Sequence, residues 1–469
     1  MSTRKTKIIS TLGPATQSPE MIAKLIEAGA NVFRLNMSHA SHEWTREIVK
    51  NIREQSEALE MSVATLIDLQ GPSIRTGDVE GKLDLKKGDI VEFRNSNLEA
   101  NSKISVTTNY DGLHEDVSVG DVMLVDNGEI HFRVDRIDQG RLTCEVLTDG
   151  LMGSRRHINL PGIRVNLPPL TKKDLRDLEL AAELQVDFIA ISFVRDADHV
   201  KYLREKLDEQ DCKARIVSKI EDQEAVKNLA GIIVESDAVM VARGDLGIEV
   251  HIEELPVIQR NIVKESARIG RKVIVATHML ESMVENPVPT RAEVTDVANA
   301  IFEQADAVMV SGETSVGQYP VKCIEVLNRI ACRMEREPGA GFSRDLELRT
   351  EKQHTVKAAV GLADSLGDGT PLIIFTARGV LANYAAHMRP ANSSIFAFCP
   401  DAAVVRSLHM SRSVFPYVME FADDPEESIR RAIDFLKERS LIESGDQVVI
   451  LSDVLNREFD TESILLRRA

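Results

Sequence analysis

Positive charge is in short supply in this 469-residue chain: 57 Lys and Arg stand against 74 Asp and Glu, a formal net charge of −17. Such a surplus repels nucleic acid and anionic membrane, so a phosphate-bearing ligand has to be held by local basic residues in a defined pocket. Cysteine is scarce and unpatterned. Cys144, Cys212, Cys323, Cys332 and Cys399 show neither C-x-x-C spacing nor a zinc-like grouping with histidine, which argues against a disulfide framework and predicts reduced, mostly buried thiols in a cytoplasmic protein. No stretch approaches the length of a membrane span, and Met1-Ser2-Thr3-Arg4-Lys5 leads into an apolar strand without a hydrophobic signal core, so neither membrane nor export is expected. A Walker A sequence and a G-x-G-x-x-G fingerprint after a strand are also missing, which disfavours P-loop hydrolases and dinucleotide enzymes. Short-period repeats, low-complexity tracts and coiled-coil heptads are absent as well.

What is there is hydrophobic content of 43 %, enough for a core in each of two or three domains. Short runs rich in Val, Ile and Ala alternate with amphipathic helical segments, the pattern of a parallel sheet buried on both faces. Eight runs fall near Thr6 to Leu12, Asn31 to Asn36, Val63 to Asp68, Asp187 to Phe193, Arg215 to Ile220, Ala238 to Arg243, Lys272 to Thr277 and Ala307 to Ser311. Eight strands with helices between them predict an α/β fold, a TIM (β/α)8 barrel. The third and fourth runs lie too far apart for one helix, and the turn signals Lys87-Gly88-Asp89, Asp126-Asn127-Gly128 and Asp149-Gly150 mark an inserted small β-barrel domain. After Glu337-Pro338-Gly339 four further runs, near Pro371 to Thr376, Ser394 to Phe398, Val414 to Met419 and Gln447 to Leu451, predict a C-terminal open α/β domain. The expected division is barrel 1–70, β module 71–168, barrel again 169–342 and C-terminal domain 343–469, with Thr171 capping the helix on which the barrel resumes.

In a parallel barrel, chemistry sits at the C-terminal strand ends. Strand alternation places Val32, Arg34 and Asn36 on one side, and likewise Val217, Lys219 and Glu221, then Val241, Arg243 and Asp245, then Met309, Ser311 and Glu313. Asp68 and Thr277 close two more strands. Barrel mouths are wet, so one polar strand end means little. Lys and Arg ending buried strands are costly unless paired or functional, however, and several such ends converging point to a site. Glu221 and Asp245, ending the adjacent fifth and sixth strands, could share one hard cation, Mg²⁺ by preference; the alternative is a structural ion pair of Lys219 with Glu221 or of Arg243 with Asp245. Gly244 has no side chain, so the amides of Arg243-Gly244-Asp245-Leu246-Gly247 can approach an anion.

Taken together, Arg34-Leu35-Asn36-Met37-Ser38-His39, Asp68-Leu69-Gln70-Gly71-Pro72-Ser73-Ile74-Arg75-Thr76-Gly77, Ser218-Lys219-Ile220-Glu221, Val241-Ala242-Arg243-Gly244-Asp245-Leu246-Gly247, Pro289-Thr290-Arg291-Ala292-Glu293 and Ser311-Gly312-Glu313-Thr314 resemble the pyruvate kinases in order and spacing. The resemblance spans the barrel and the β module; the third region matches in layout. It implies transfer of the phosphoryl group of phosphoenolpyruvate to ADP, giving pyruvate and ATP in the last step of glycolysis. It further implies that Lys219 neutralises the transferring group, that Glu221 and Asp245 hold Mg²⁺ or Mn²⁺, and that Arg34 and Arg75 bind phosphate oxygens. Thr277 and Ser311 would position or relay the proton for the enolate, Glu313 would support them, and Thr277 with the amides of Gly244 and Asp245 would take the substrate carboxylate. Asn36, Ser38, Asp68 and the Leu69 carbonyl match an oxygen cage for K⁺. His39, Lys173 and Asp126, with Arg75, match positions facing the nucleotide, and a homotetramer under allosteric control is implied as well.

The chain also departs from its relatives. Ser73 stands where K⁺-dependent relatives carry Glu and K⁺-independent ones Lys, while Leu69 leans toward the independent group and Thr76 toward the dependent one. His278 follows Thr277 where Gln is usual. The effector loop reads Thr376-Ala377-Arg378-Gly379-Val380-Leu381, with few hydroxyls, and the tail Leu451-Ser452-Asp453-Val454-Leu455-Asn456-Arg457-Glu458 lacks the glycine-rich ending. Two rival readings are a barrel lyase that binds an enolate through Mg²⁺ and an inactive regulatory homologue. The β module and Arg75 argue against the first, and intact Lys219, Glu221, Asp245 and Thr277 against the second.

Overall fold

The eight apolar runs become eight strands: β1 (Lys7–Thr11), β2 (Val32–Asn36), β3 (Ala64–Asp68), β4 (Phe188–Ile191), β5 (Arg215–Ile220), β6 (Ala238–Ala242), β7 (Lys272–Ala276) and β8 (Ala307–Val310). In the structure, a computed structural model that describes residues 4–367, 369–453 and 463–469, they form a closed barrel in the order β1-β8-β7-β6-β5-β4-β3-β2. Every barrel pairing is parallel, and the ring closes over a long sequence separation, with Lys7 opposite Ala307. One strand face packs against the surrounding helices. The other fills the interior with Ile9, Val32, Leu66, Phe188, Val217 and Met240, among others. That double burial is why a run such as Ala238-Val239-Met240-Val241-Ala242 shows no polar alternation.

The alternation reading fails at β6. It places Val241 and Arg243 inside, but Ala238 and Met240 face the interior and Val241 packs outward against the helices. The strand ends at Ala242, and the helix Arg243–Glu249 begins at once. Asp245 therefore reaches the mouth from a first helical turn instead of from the strand, and Arg243 turns away to Asp296 (2.7 Å) and to the Thr277 carbonyl (2.6 Å).

Between β3 and β4 the chain leaves the barrel and builds a six-stranded sheet and a two-stranded pair around one core, where Phe93 and Phe132 meet edge to face at 5.0 Å. Asp126, Asn127 and Gly128 all have positive φ, as their turn signal predicts. On the return, Thr171 caps the helix Lys172–Glu183 in a full capping box with Asp174.

The C-terminal sheet contains β9 (Leu372–Phe375), β10 (Ile395–Cys399), β11 (Val414–Val418), β12 (Gln447–Ser452) and β13 (Ser463–Arg468), ordered β11-β10-β9-β12-β13. The last strand is antiparallel to β12 and was not foreseen. Residues 454–458 of the tail singled out above lie outside the described residues. This sheet's connections reach the N-terminal end of the barrel: Met410 joins the interior cluster as its floor, and Arg389 holds Asp306 through two bonds of 2.7 and 2.6 Å. Arg406 reaches Asp187 at 2.8 Å, and Lys7 donates to the Val414 carbonyl at 2.5 Å beneath the Phe415 ring. Among the described residues no helix is long and apolar enough to cross a membrane. Cys144, Cys212, Cys323 and Cys399 are buried thiols outside any disulfide.

Candidate active site

At the C-terminal ends of β2, β3 and β5 the inward face changes from apolar to charged within one step. Arg34 follows Val32, Asp68 follows Leu66, and Lys219 follows Val217. The strand register places Asn36 beside Asp68. Arg34 donates from Nε to Asp68 Oδ2 at 2.7 Å, with Nη2 at 2.6 Å from the same oxygen, and from Nη1 to Thr11 Oγ1 at 3.1 Å. Lys219 Nζ lies 2.8 Å from Glu221 Oε1 and 3.4 Å from Asp68 Oδ1. All these side chains are nearly or wholly withdrawn from water.

Two cations, Arg34 and Lys219, thus face three carboxylates, Asp68, Glu221 and Asp245. The imbalance shows in the proton affinities. Burial would raise Asp68, but Lys219 and Arg34 outweigh it and hold the carboxyl below its ordinary range. Burial pushes Glu221 up to about 8, with Asp245 adding to the rise against the opposing pull of Lys219. Burial also opposes charge on Lys219, yet Asp68, Glu221 and Asp245 prevail and raise it. Two carboxylates crowded in low dielectric with one negative charge in surplus are a donor set that a divalent cation would satisfy. Buried Glu221 Oε1 and Asp68 Oδ1 face the Lys219 ammonium at 2.8 and 3.4 Å and keep further lone pairs free for a cation. Among the described residues no three His, Cys, Asp or Glu side chains gather into a metal nest, so substrate or water oxygens would complete the shell, as Mg²⁺ commonly requires.

The helix Arg243–Glu249 has no capping side chain of its own. Thr277, just beyond β7, supplies one: its Oγ1 accepts from Gly244 N–H at 2.8 Å and donates to the Ala276 carbonyl at 2.6 Å. Thr277 and His278 hold φ of 66° and 52°; for the β-branched Thr277 this conformation is a genuine outlier and marks a strained turn. Ser311 follows β8, and Glu313 is fully buried, accepting from the amides of Ser311 (2.7 Å) and Leu280 (3.0 Å). Glu313 therefore shapes the site through the backbone.

A cleft of about 720 Å³ opens beside this centre, lined in part by Thr11, Pro14, Arg34, Asn36, His39 and Ser311. Of the residues expected on the nucleotide side, His39 lines it. Lys173 is instead bound to the Met37 carbonyl (2.8 Å) and Asp177 (2.6 Å), and Asp126 to Arg156 (3.2 Å). Arg75 projects from the β module, its Nε on Ser73 Oγ at 3.2 Å, so the residue that departs from the family pattern orients a phosphate-binding candidate. For the cage, Asn36 Oδ1 accepts from Ser38 N–H at 3.1 Å, and the Leu69 carbonyl from Ser192 Oγ at 2.8 Å. Sequence reasoning missed Ser192, whose Oγ also accepts from Lys219 Nζ at 2.8 Å. Its signal was the inward phase of Phe188 and Ala190, continued one step past β4.

Comparison with known proteins bears on the whole chain. A family model described as pyruvate kinase, barrel domain, matches residues 3–324, and one described as pyruvate kinase, alpha/beta domain, matches residues 353–465. The chain is 40% identical over 475 residues to pyruvate kinase isozyme G, chloroplastic, of Nicotiana tabacum, covering 100% of this chain and 84% of that protein. It is 41% identical over 462 residues to the pyruvate kinase of Geobacillus stearothermophilus, covering 96% and 78%. A crystal structure of a pyruvate kinase from Cryptosporidium parvum superposes with a TM-score of 0.93 at 33% identity, covering 99% of this chain and 96% of that one.

Proposed function

This chain belongs to the pyruvate kinase family, enzymes that move the phosphoryl group of phosphoenolpyruvate to ADP and need a divalent metal, and from that premise we propose how its own residues divide the work. Lys219 stabilises negative charge on the phosphoryl group in flight, where positioning and electrostatics supply most of the catalysis. Arg34 and Arg75 grip phosphate oxygens from the barrel and from the β module, residues 71–168, which acts as a lid over the active site. Glu221 and Asp245 hold Mg²⁺ or Mn²⁺, which when bound neutralises the phosphoryl and substrate oxygens as a Lewis acid. Asn36, Ser38, Asp68 and the Leu69 carbonyl hold K⁺.

Thr277 and Ser311 hold the proton that the enolate needs at carbon, with Glu313 as a positioning residue behind Ser311. The substrate carboxylate lies by Thr277 and the amides of Gly244 and Asp245, and the nucleotide beside Arg75 and His39, with Lys173 and Asp126 on the same side. A cytoplasmic homotetramer completes the reading; the buried, reduced thiols support the compartment.

One observation carries the assignment: a buried lysine between paired carboxylates, with an arginine fork, at one barrel mouth. The test is ADP-dependent pyruvate formation from phosphoenolpyruvate and Mg²⁺ in a coupled assay, for wild type and Lys219→Met. Turnover should fall about 10³-fold or more with circular dichroism unchanged. Equal rates in the two proteins would sink the role given to Lys219.

A further inference from the structure

The turn that follows β4 touches several parts of the mouth at once. Phe193 sits there with φ 55°, a left-handed conformation that a bulky residue keeps only while its surroundings impose it. Three contacts impose it. Its N–H donates to Glu221 Oε2 at 2.6 Å. Its ring edge fills the space beside Gly71, where an added Cβ would stand 3.0 Å from Phe193 Cδ2. The His157 ring meets it edge-on, with centroids 5.7 Å apart and planes at 67°.

Gly71 lies where the chain leaves the barrel for the β module, and His157 lies inside the module, bridged to Arg75 and leading into the short strand Ile158–Asn159. The Phe193 ring therefore rests against both the exit from the barrel and the module itself, while its amide holds the carboxylate at the centre of the mouth. We propose that Phe193 is a positioning residue that transmits the seating of the β module to Glu221, with His157 as the contact through which the module acts. This rests on the reading of Glu221 as a cation ligand.

Removing the His157 ring frees one side of the Phe193 ring. The strained turn then relaxes toward negative φ and carries its N–H away from Glu221. A ligating carboxylate that loses such a partner loses orientation, and affinity for the cation falls with it. By linkage the effect is reciprocal: a cation held by Glu221 stabilises the module's seating as much as that seating stabilises the cation.

The experiment is Mn²⁺ titration of the substrate-free protein, followed by water proton relaxation, for wild type, His157→Ala, His157→Phe, Phe193→Leu and Glu221→Gln. His157→Ala should weaken Mn²⁺ binding about tenfold. His157→Phe, which keeps an aromatic edge, should restore it to within about twofold. In the Phe193→Leu background the His157→Ala effect should vanish, because the two act along one path. Glu221→Gln that binds Mn²⁺ like wild type overturns the cation reading itself. Loss of binding in Glu221→Gln with no change in His157→Ala, or additive His157 and Phe193 effects, overturns the coupling alone. If His157→Ala does not fold, His157→Phe compared with His157→Leu decides the same point.

Discussion

Arg34 shows how much of this site depends on side-chain shape as well as charge. Nε and Nη2 both address Asp68 Oδ2 while Nη1 reaches Thr11, an arrangement that needs a planar fork. Lysine keeps the charge but offers one ammonium point. Arg34→Lys should therefore lower kcat/KM for phosphoenolpyruvate by about 10- to 100-fold, the worth of one charge-assisted hydrogen bond. Steady-state kinetics checks this, and an unchanged kcat/KM would show that the fork serves only the fold. Arg34, Asp68, Lys219 and Glu221 were legible in the sequence because charge at the end of a buried strand breaks an otherwise apolar run. Ser192 and Phe193 were not. The fourth run reads as strand through Phe193, and nothing in the letters Ser-Phe reveals a backbone turned to φ 55°.

Period-two alternation is a property of strands, and it fails at the residue where a strand stops. β6 ends one residue earlier than its apolar run suggests, and the helix that follows carries Asp245 to the mouth on a different geometry. Asp245 thus comes to the mouth through a helical turn and not through strand alternation, whereas Arg243 turns away from it to Asp296 and the Thr277 carbonyl. The antiparallel strand β13 escaped because Ser463-Ile464-Leu465-Leu466-Arg467-Arg468 is a short edge segment, partly exposed and without a bounding turn signal.

At this scale Gly71 is the informative position. It combines φ 70° with a space in which a Cβ would stand 2.8 Å from Ser192 Cβ. Gly71→Ala should cost about 1–3 kcal/mol in stability and lower turnover by displacing Ser192 from Lys219. Gly81 makes the control, having φ 68° with nothing within 4 Å of the added atom. Gly81→Ala should lose only the backbone strain, about 1–2 kcal/mol, and keep full activity. Urea unfolding with the coupled assay separates the two, and equal turnover in both variants would remove the argument from Ser192.

The join between the C-terminal domain and the barrel floor adds its own acid sensitivity to the molecule. Burial pushes His387 and His409 down to about 3, helped in His387 by Lys272 and in His409 by Lys7 and Arg406. Asp306 alone among the groups facing His387 pulls the other way. Both imidazoles are neutral in the fold, whereas the unfolded chain takes up protons near pH 6.5. Their contribution is therefore complete above about 6.5 and is lost as pH falls toward 3, by about 2 kcal/mol for each at pH 5. The melting temperature should drop between pH 7.5 and 5, and His409→Gln should make that slope shallower. An identical slope in the variant would show that His409 titrates freely in the native state.

Met410 gives the barrel a stopper that arrives late in synthesis. A ribosome delivers the strands in order, but the ring cannot close until β8 meets β1, and the apolar floor stays open until Met410 has been made. During that interval the newborn barrel is a cup without a base, the kind of surface that chaperones recognise and that aggregates when they are absent. A chain ended after Ala340 should bind a hydrophobic dye and pellet on centrifugation at concentrations where the full chain stays clear. The C-terminal domain is then part of how the barrel becomes a finished vessel.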